Sequence, residues 1–292
     1  MLNAIKLGRR CGAALVIGLL PLLAAASAAS AQDRKEGASP EIVPEASKRL
    51  DNYQPVTDER LAKPEPGNWL VRWNIDPLLL AVLAIAIGFA HIRRTDIRAR
   101  PSAAALAILV FLFVSPFCAL GSALLTVRVV HDVMLAALLA PLIVAGAKLD
   151  RVRIPGTLAA WTAVHALTFW FWHAPAAYAA AMSSDAVFWI MQVTITGTAV
   201  AWWSKVAGGR APSAAISLLA TMVAMGALGA LIAFAPRALY APHWITTHAW
   251  GLAPLEDQQI AGIVMWAPAS LIYLLAALVI LYRSLWTNMA AT

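Results

Sequence analysis

The chain has 292 residues, of which 61% are hydrophobic and 13% are charged, and its formal net charge is +7. This apolar composition excludes an ordinary soluble domain, because a soluble surface needs more charged residues. The basic residues lie in short segments between apolar runs, not along one face, so the positive charge does not predict nucleic-acid binding.

The N-terminal segment is typical of a secretory signal peptide. Basic residues at positions 6–10 precede an apolar stretch at positions 13–26, which is too short to span a membrane comfortably. Small residues at positions 29–31 form a cleavage pattern, so we predict a cleavable signal at residues 1–31. The alternative is an uncleaved first helix. Cleavage would leave Cys118 as the only cysteine, so no internal disulfide is expected.

Residues 32–74 are polar, contain several prolines and carry charges of both signs. Such a segment has too little apolar surface to build a core, so we predict an exported and largely extended arm. Trp69 and Trp73 lie at its end, and tryptophan is enriched where a chain enters the membrane interface.

Apolar runs long enough for membrane helices follow the arm, and they predict an all-α membrane protein. We place seven spans, at residues 75–92, 101–121, 129–147, 154–173, 185–203, 213–235 and 259–281. Small residues such as Gly226, Gly229 and Ala230 allow membrane helices to approach closely. We therefore expect one seven-helix transmembrane bundle over residues 75–285, in contact with the lipid bilayer.

Lys and Arg residues are divided unequally between the loops on the two sides of the predicted spans. One set of loops and the C-terminal tail contain ten of them, whereas the opposite loops contain only Arg128 and Arg237. Basic residues concentrate on the cytoplasmic side of a membrane protein, so we expect a cytoplasmic C-terminus. Seven spans then place the start of the first span outside, which agrees with an export signal.

Residues that suit copper collect at the outer end of the predicted bundle: Cys118, His131, Asp132, Met134 and His173. Thiolate, thioether and imidazole groups are the soft ligands expected for Cu(I). Ionisable groups at membrane depth are costly and suggest a functional role. The hypothesis is a metal site formed by Cys118, His131 and His173, with Met134 or Asp132 behind them.

Each of these residues also has a structural explanation. His131 could form an ion pair with Asp132 or cap a helix, and His173 could be one of the many interfacial histidines that pack among aromatic residues. Cys118 and Met134 could fill space in the core, since both side chains are common there. Both explanations stay open at the level of the sequence.

The other histidines suggest simpler roles. His165 lies eight residues before His173, or about 12 Å along a helix, so the two cannot bind one ion. We predict that His165 is a hydrogen-bonded core residue. His243 and His248 follow the sixth span and are expected to be solvated loop residues.

An acidic and amide-rich cluster opens the seventh span. Glu256, Asp257, Gln258 and Gln259 run directly into the apolar segment. One interpretation is that Asp257 caps its own helix, because a carboxylate satisfies free N–H groups there and suits the helix dipole. The other is that the cluster closes the outer face of a site.

Several blocks of the sequence resemble the CtaG-like cytochrome c oxidase assembly factors of the caa3 type, and the similarity extends over about residues 75–285. The last block is the most specific. The blocks are Ser115–Leu120 with Arg128–His131 and Ala140-Pro141, then Trp172-His173-Ala-Pro175-Ala-Ala-Tyr178, then Leu228–Pro242, and then Trp250–Trp266 with Asp257-Gln258-Gln259-x-x-Gly262.

The resemblance implies a non-enzymatic assembly factor, multi-pass in the bacterial inner membrane, that supports maturation of the copper-containing oxidase at the periplasmic face. Its expected partners are oxidase subunits and other copper chaperones. It adds Trp172, Tyr178, Asp257, Gln258 and Gln259 to the candidate functional residues. Relatives often carry two histidines where this chain has His131-Asp132.

Two other functions agree with the sequence. A haem-binding oxidoreductase would need paired histidines at equal depth on neighbouring helices, and His131 and His173 could provide them. A small-molecule or ion permease would need helices broken at mid-depth, for which Pro116 and Pro141 are the candidates.

Overall fold

The computed structural model describes residues 63–92 and 97–289. The predicted signal peptide and most of the predicted arm lie outside the described residues, so both stay predictions. Within the described ranges the chain is helical and contains no β-strand. This confirms the all-α fold class.

Nine helices follow one another in the described part of the chain. They are α1 (Pro77–Ile92), α2 (Ala99–Phe113), α3 (Pro116–Leu120), α4 (Leu125–Gly146), α5 (Leu158–His173), α6 (Pro175–Ser183), α7 (Asp185–Gly208), α8 (Ala211–Ala233) and α9 (Pro254–Met289).

Four helices among the described residues, α4, α7, α8 and most of α9, are long and apolar enough to cross a membrane. The apolar helix α2 has 15 residues and α5 has 16, which is about 24 Å of rise or less, against about 30 Å of hydrocarbon. All seven predicted apolar segments contain a helix, but the number of spans and the orientation of the termini stay predictions.

Local sequence signals set the helix ends near the later site. The Ser115 hydroxyl accepts the N–H of Phe117 (3.2 Å), and Pro116 occupies the first turn of α3. Pro175 forces Ala174 into an extended conformation with ψ of 131°. Helix α5 therefore ends at His173, and the imidazole is placed at the end of the helix.

Helix α4 contains a π-helical turn at Leu135–Leu139. In such a turn the carbonyl of Ala136 would pair with the N–H of residue 141, but Pro141 has no N–H. The indole of Trp203 on α7 donates to the Ala136 carbonyl instead, at 2.9 Å. Pro141, a candidate for a broken helix in the sequence, therefore lies after a π-turn that α7 stabilises, and α4 continues through it.

Helices α8 and α9 form the most extensive contact in the described bundle. A Cβ added to Gly229 would lie 2.7 Å from the Gly262 carbonyl oxygen, and one added to Gly262 would lie 2.6 Å from the Ala233 nitrogen. The two backbones therefore touch, which is the close approach that small residues permit in membrane helices.

The bundle has apolar residues outside and buries several polar residues within a mainly apolar core. Ile216, Val223 and Leu278 are exposed, as expected for side chains that face lipid. The buried polar residues include Arg128, His131, Asp132, His165, His173, Gln192, His243, Thr247, Asp257 and Gln258. A polar cluster forms at the N-terminal half of α4, which carries Arg128, His131 and Asp132 and contacts His173 and Asp257.

Candidate functional site

Asp132 lies between two buried histidines from different helices. Its Oδ1 is 3.4 Å from Nδ1 of His131, the preceding residue on α4, and its Oδ2 is 3.9 Å from Nε2 of His173 at the end of α5. All three side chains are at most 2% exposed. The structure therefore brings together three of the five residues predicted as a metal site.

The two ring nitrogens of His173 have different surroundings. Nδ1 lies 2.8 Å from the carbonyl oxygen of Phe169, which can only accept, so Nδ1 donates its proton there. The Nε2 atom then carries the lone pair of the neutral ring. Neither Nε2 nor the facing Oδ2 of Asp132 has a hydrogen-bond partner. A backbone-oriented imidazole with a free nitrogen is the usual form of a metal-binding histidine.

His131 has no comparable free nitrogen. Its Nε2 lies 3.2 Å from the carbonyl oxygen of Leu112 and must donate to it, while Nδ1 faces the Asp132 carboxylate. The His131–Asp132 pair therefore shares one further proton. Both ring nitrogens contact protein acceptors, so this geometry favours the ion-pair explanation of His131. Neither ring nitrogen of His131 is then free to act as an axial haem ligand.

Cys118 and Met134 are placed less directly. Cys118 lies half-buried in α3. Met134 is partly buried and packs against the apolar core. Among the described residues, no three or more His, Cys, Asp or Glu side chains form a group that could hold one metal ion. The five-residue metal site therefore stays a prediction.

Asp257 caps a helix, but not its own. Its Oδ2 and Oδ1 accept the backbone N–H groups of Leu125 (2.6 Å) and Thr126 (3.1 Å), which open α4. The Thr126 hydroxyl donates to the backbone carbonyl of Asp257 at 2.9 Å. At the start of α9 itself, the Glu256 side chain reaches back and accepts the N–H of Ala253 at 2.8 Å. The interpretation of Asp257 as the cap of its own helix is therefore wrong.

Gln258 joins the end of α8 to the loop that follows. Its Oε1 accepts the N–H of Leu239 (2.6 Å), and its Nε2 donates to the carbonyls of Ile232 (3.1 Å) and Arg237 (3.2 Å). Gln259 is exposed. Asp257 thus holds the start of α4, and Gln258 holds the end of α8 and the loop after it. Gln259 takes no part in these contacts.

Trp172 on α5 and Tyr178 on α6 make buried hydrogen bonds to other segments. The Tyr178 hydroxyl is 2.7 Å from Nε2 of His243, and the Trp172 indole donates to the Thr194 hydroxyl at 2.8 Å. Tyr240 packs edge-on against Tyr178 and donates to the backbone carbonyl of His173 at 2.7 Å. Burial raises the pKa of both tyrosines, so each stays a hydrogen-bond donor.

His243 is buried, so its assignment as a solvated loop residue is wrong; His248 is exposed as expected. The Nδ1 of His243 donates to the Ala123 carbonyl at 3.2 Å, and its Nε2 accepts a hydrogen bond from the Tyr178 hydroxyl. Burial lowers the pKa of His243 to about 4. His165 is a core residue as predicted, with Nδ1 3.3 Å from the Thr198 hydroxyl.

Arg128 and Gln192 were not singled out as site residues from the sequence. Arg128 is 3% exposed, and its Nε and Nη1 have no hydrogen-bond partner; neither amide atom of Gln192 has one. Arg128 could have been found, because a cation at the start of an apolar span, four residues before Asp132, lies on the same helix face. Gln192 carries no such signal.

Comparison with known proteins agrees with the resemblance found in the sequence. A family model described as cytochrome c oxidase caa3 assembly factor (Caa3_CtaG) matches residues 152–286. A search of curated proteins and a search of solved structures gave no match. The matched region contains His173, Tyr178 and Asp257, whereas Arg128 and Asp132 precede it. The predicted recognition is confirmed: over residues 152–286 this chain matches the cytochrome c oxidase caa3 assembly factor family.

Proposed function

We propose that this protein is an integral membrane assembly factor for cytochrome c oxidase that supports maturation of a copper centre at the periplasmic face of the bacterial inner membrane. The family match supports the link to the oxidase. The link to copper rests on one observation: the unpartnered Nε2 of buried His173 faces the unpartnered Oδ2 of Asp132. Copper is cargo in this proposal, not a resident cofactor.

The donor set fits a transfer role better than permanent storage. His173 offers one free imidazole nitrogen, and Cys118 would offer a thiolate after loss of its proton. A thiol binds a metal ion as the thiolate, so metal entry would release a proton. Asp132 lies beside His173 and could take up a proton. Two soft ligands bind Cu(I) reversibly, which permits exchange with ligands of an oxidase subunit.

The role proposed is binding and delivery, with no bond made or broken in a substrate. The buried contacts of Asp257, Gln258 and Tyr178 would hold the segments around the polar cluster in fixed positions. The partners would be the oxidase subunit that receives copper and other copper chaperones that supply it.

Metal analysis of the purified full chain tests the copper step. Protein loaded with Cu(I) under reducing conditions and then desalted should retain copper, and His173→Ala and Cys118→Ser should each lose most of it. His248→Ala is the matched control, because His248 is exposed, and it should retain the wild-type amount. Equal copper in wild type and His173→Ala, or none in wild type, would contradict the proposal.

Oxidase assembly provides the second test. In cells that lack the gene, the copper content and activity of the oxidase should fall, and the wild-type gene should restore both. The His173→Ala gene should restore neither, although the variant protein is present in the membrane. Full restoration by that variant would separate oxidase assembly from copper binding at His173.

A further inference from the structure

Arg128 is a buried cation whose hydrogen-bonding edge is unused. The side chain lies on α4, about one turn after the helix begins at Leu125, and is 3% exposed. Its Nε and Nη1 atoms are fully buried and have no hydrogen-bond partner. A buried guanidinium costs several kcal/mol unless an anion and hydrogen-bond acceptors compensate it.

The Arg128 guanidinium packs against an aromatic ring and a glycine. Its Cζ lies over the Phe188 ring, 4.9 Å from the ring centre. A Cβ at Gly121 would lie 3.0 Å from Cζ, 3.0 Å from Nη2 and 3.2 Å from Nε. These near-equal distances place the Gly121 position above the plane. The N–H groups of a guanidinium point outward within the plane, so face contacts leave them available.

The nearby carboxylates do not pair with Arg128. Asp132, four residues further along α4, lies between His131 and His173; its Oδ2 has no hydrogen-bond partner, but no ion pair with Arg128 occurs among the described residues. Both carboxylate oxygens of Asp257 accept backbone N–H groups of α4. No acceptor in the described part of the protein therefore lies within hydrogen-bond distance of Nε or Nη1 of Arg128.

We propose that Arg128 binds an oxyanion, a phosphate or carboxylate group, through the free in-plane N–H groups. Arginine suits such groups because its planar fork matches two oxygens at once. The position of Arg128 about 4.5 Å along α4 from the helix start keeps it close to the end of the bundle. The two candidate sources of the oxyanion are an anion from solution and the phosphate of a lipid headgroup. This inference does not depend on copper binding.

Binding measurements on the full chain in detergent test the site and separate the two sources. Calorimetric titrations use inorganic phosphate and acetate, and native mass spectrometry detects retained phosphatidylglycerol. Arg128→Gln should weaken binding at least tenfold, and Arg128→Lys should recover only part of it. Arg237→Gln is the control, because Arg237 is exposed, and its binding should equal that of wild type.

The outcomes are distinct. Arg128-dependent binding of phosphate or acetate identifies a small anion as the ligand. Retention of phosphatidylglycerol without small-anion binding identifies a lipid headgroup. Absence of all three from the wild-type protein, or equal binding by Arg128→Gln, overturns the proposal. If Arg128→Gln does not fold, the ¹⁵N signal of Arg128 Nε in the wild type decides, since it must shift when the ligand is added.

Discussion

Asp257 accepts the backbone N–H of Leu125 at 2.6 Å, across 132 positions of the sequence. The first N–H groups of a helix have no partner within the helix, and a carboxylate there also suits the helix dipole. The start of α9 therefore stabilises the start of α4. Because α4 carries Arg128, His131 and Asp132, this contact positions the helix on which the polar cluster is built.

Removal of the Asp257 carboxylate should destabilise the bundle measurably. Loss of a helix cap costs about 1–2 kcal/mol, so Asp257→Ala should lower the melting temperature in detergent. Asp257→Asn keeps one acceptor oxygen and should cost less. Gln259→Ala is the control, since Gln259 is exposed. Equal melting temperatures for Asp257→Ala and Gln259→Ala would show that the cap does not stabilise α4.

Substitution of Gln258 should loosen the end of α8 specifically. Gln258→Ala removes three hydrogen bonds to Leu239, Ile232 and Arg237, each worth about 1 kcal/mol. Hydrogen exchange of residues 234–240 should become faster, while exchange in α5 should not change. Gln258→Glu keeps the acceptor but loses the donor, so its effect should be intermediate. Unchanged exchange at residues 234–240 would contradict this role.

The close contact between α8 and α9 should not tolerate one extra methyl group. In Gly262→Ala the new Cβ would lie 2.6 Å from backbone atoms of Gly229 and Ala233, and such overpacking costs about 1–3 kcal/mol. Gly197→Ala is the matched control, because a Cβ at Gly197 in α7 has nothing within 4 Å. Thermal unfolding in detergent should rank Gly262→Ala well below both Gly197→Ala and wild type.

Buried His243 should make stability depend on pH. Its pKa falls from 6.5 to about 4 because burial disfavours the charged ring. Between about pH 4 and pH 6.5, His243 is therefore protonated in the unfolded chain but neutral in the folded chain. The free energy of unfolding is therefore highest above about pH 6.5, and it falls by on the order of 3 kcal/mol as the pH falls toward 4.

His243→Gln removes the titrating group and should flatten this part of the stability curve. The measurement is the melting temperature of both proteins between pH 7 and pH 4.5. His248→Gln, which changes an exposed histidine, should keep the wild-type slope. Identical slopes for wild type and His243→Gln would assign the pH dependence to other groups.

The sequence predicted seven apolar segments that each contain a helix, because apolar runs act locally, but it did not predict α6, which lies between two of them. The fourth predicted span ended at His173, where Pro175 stops α5 by steric conflict with the preceding residue. It did not predict the π-turn in α4, because the indole N–H that replaces the missing proton of Pro141 comes from α7.

The roles of individual polar residues needed the tertiary structure. A carboxylate at a helix start is read from sequence as the cap of its own helix, but Asp257 faces a helix start 132 positions away. His243 was expected in water because it lies in the loop that follows the sixth predicted span, yet it is buried against Tyr178 and Ala123. Burial and long-range partners depend on how helices pack, which local sequence does not encode.

By itself, the sequence determined that this protein is helical and apolar, because composition and the length of the apolar runs report how much surface must avoid water. Its similarity to a known assembly-factor family came from the resemblance of particular sequence blocks. Only the tertiary structure decided which polar side chains meet. It places Asp132 between His131 and His173 and leaves Nε and Nη1 of Arg128 without a hydrogen-bond partner. The physical reason is that hydrogen bonds and ion pairs act over a few ångströms, often between residues that are far apart in the chain.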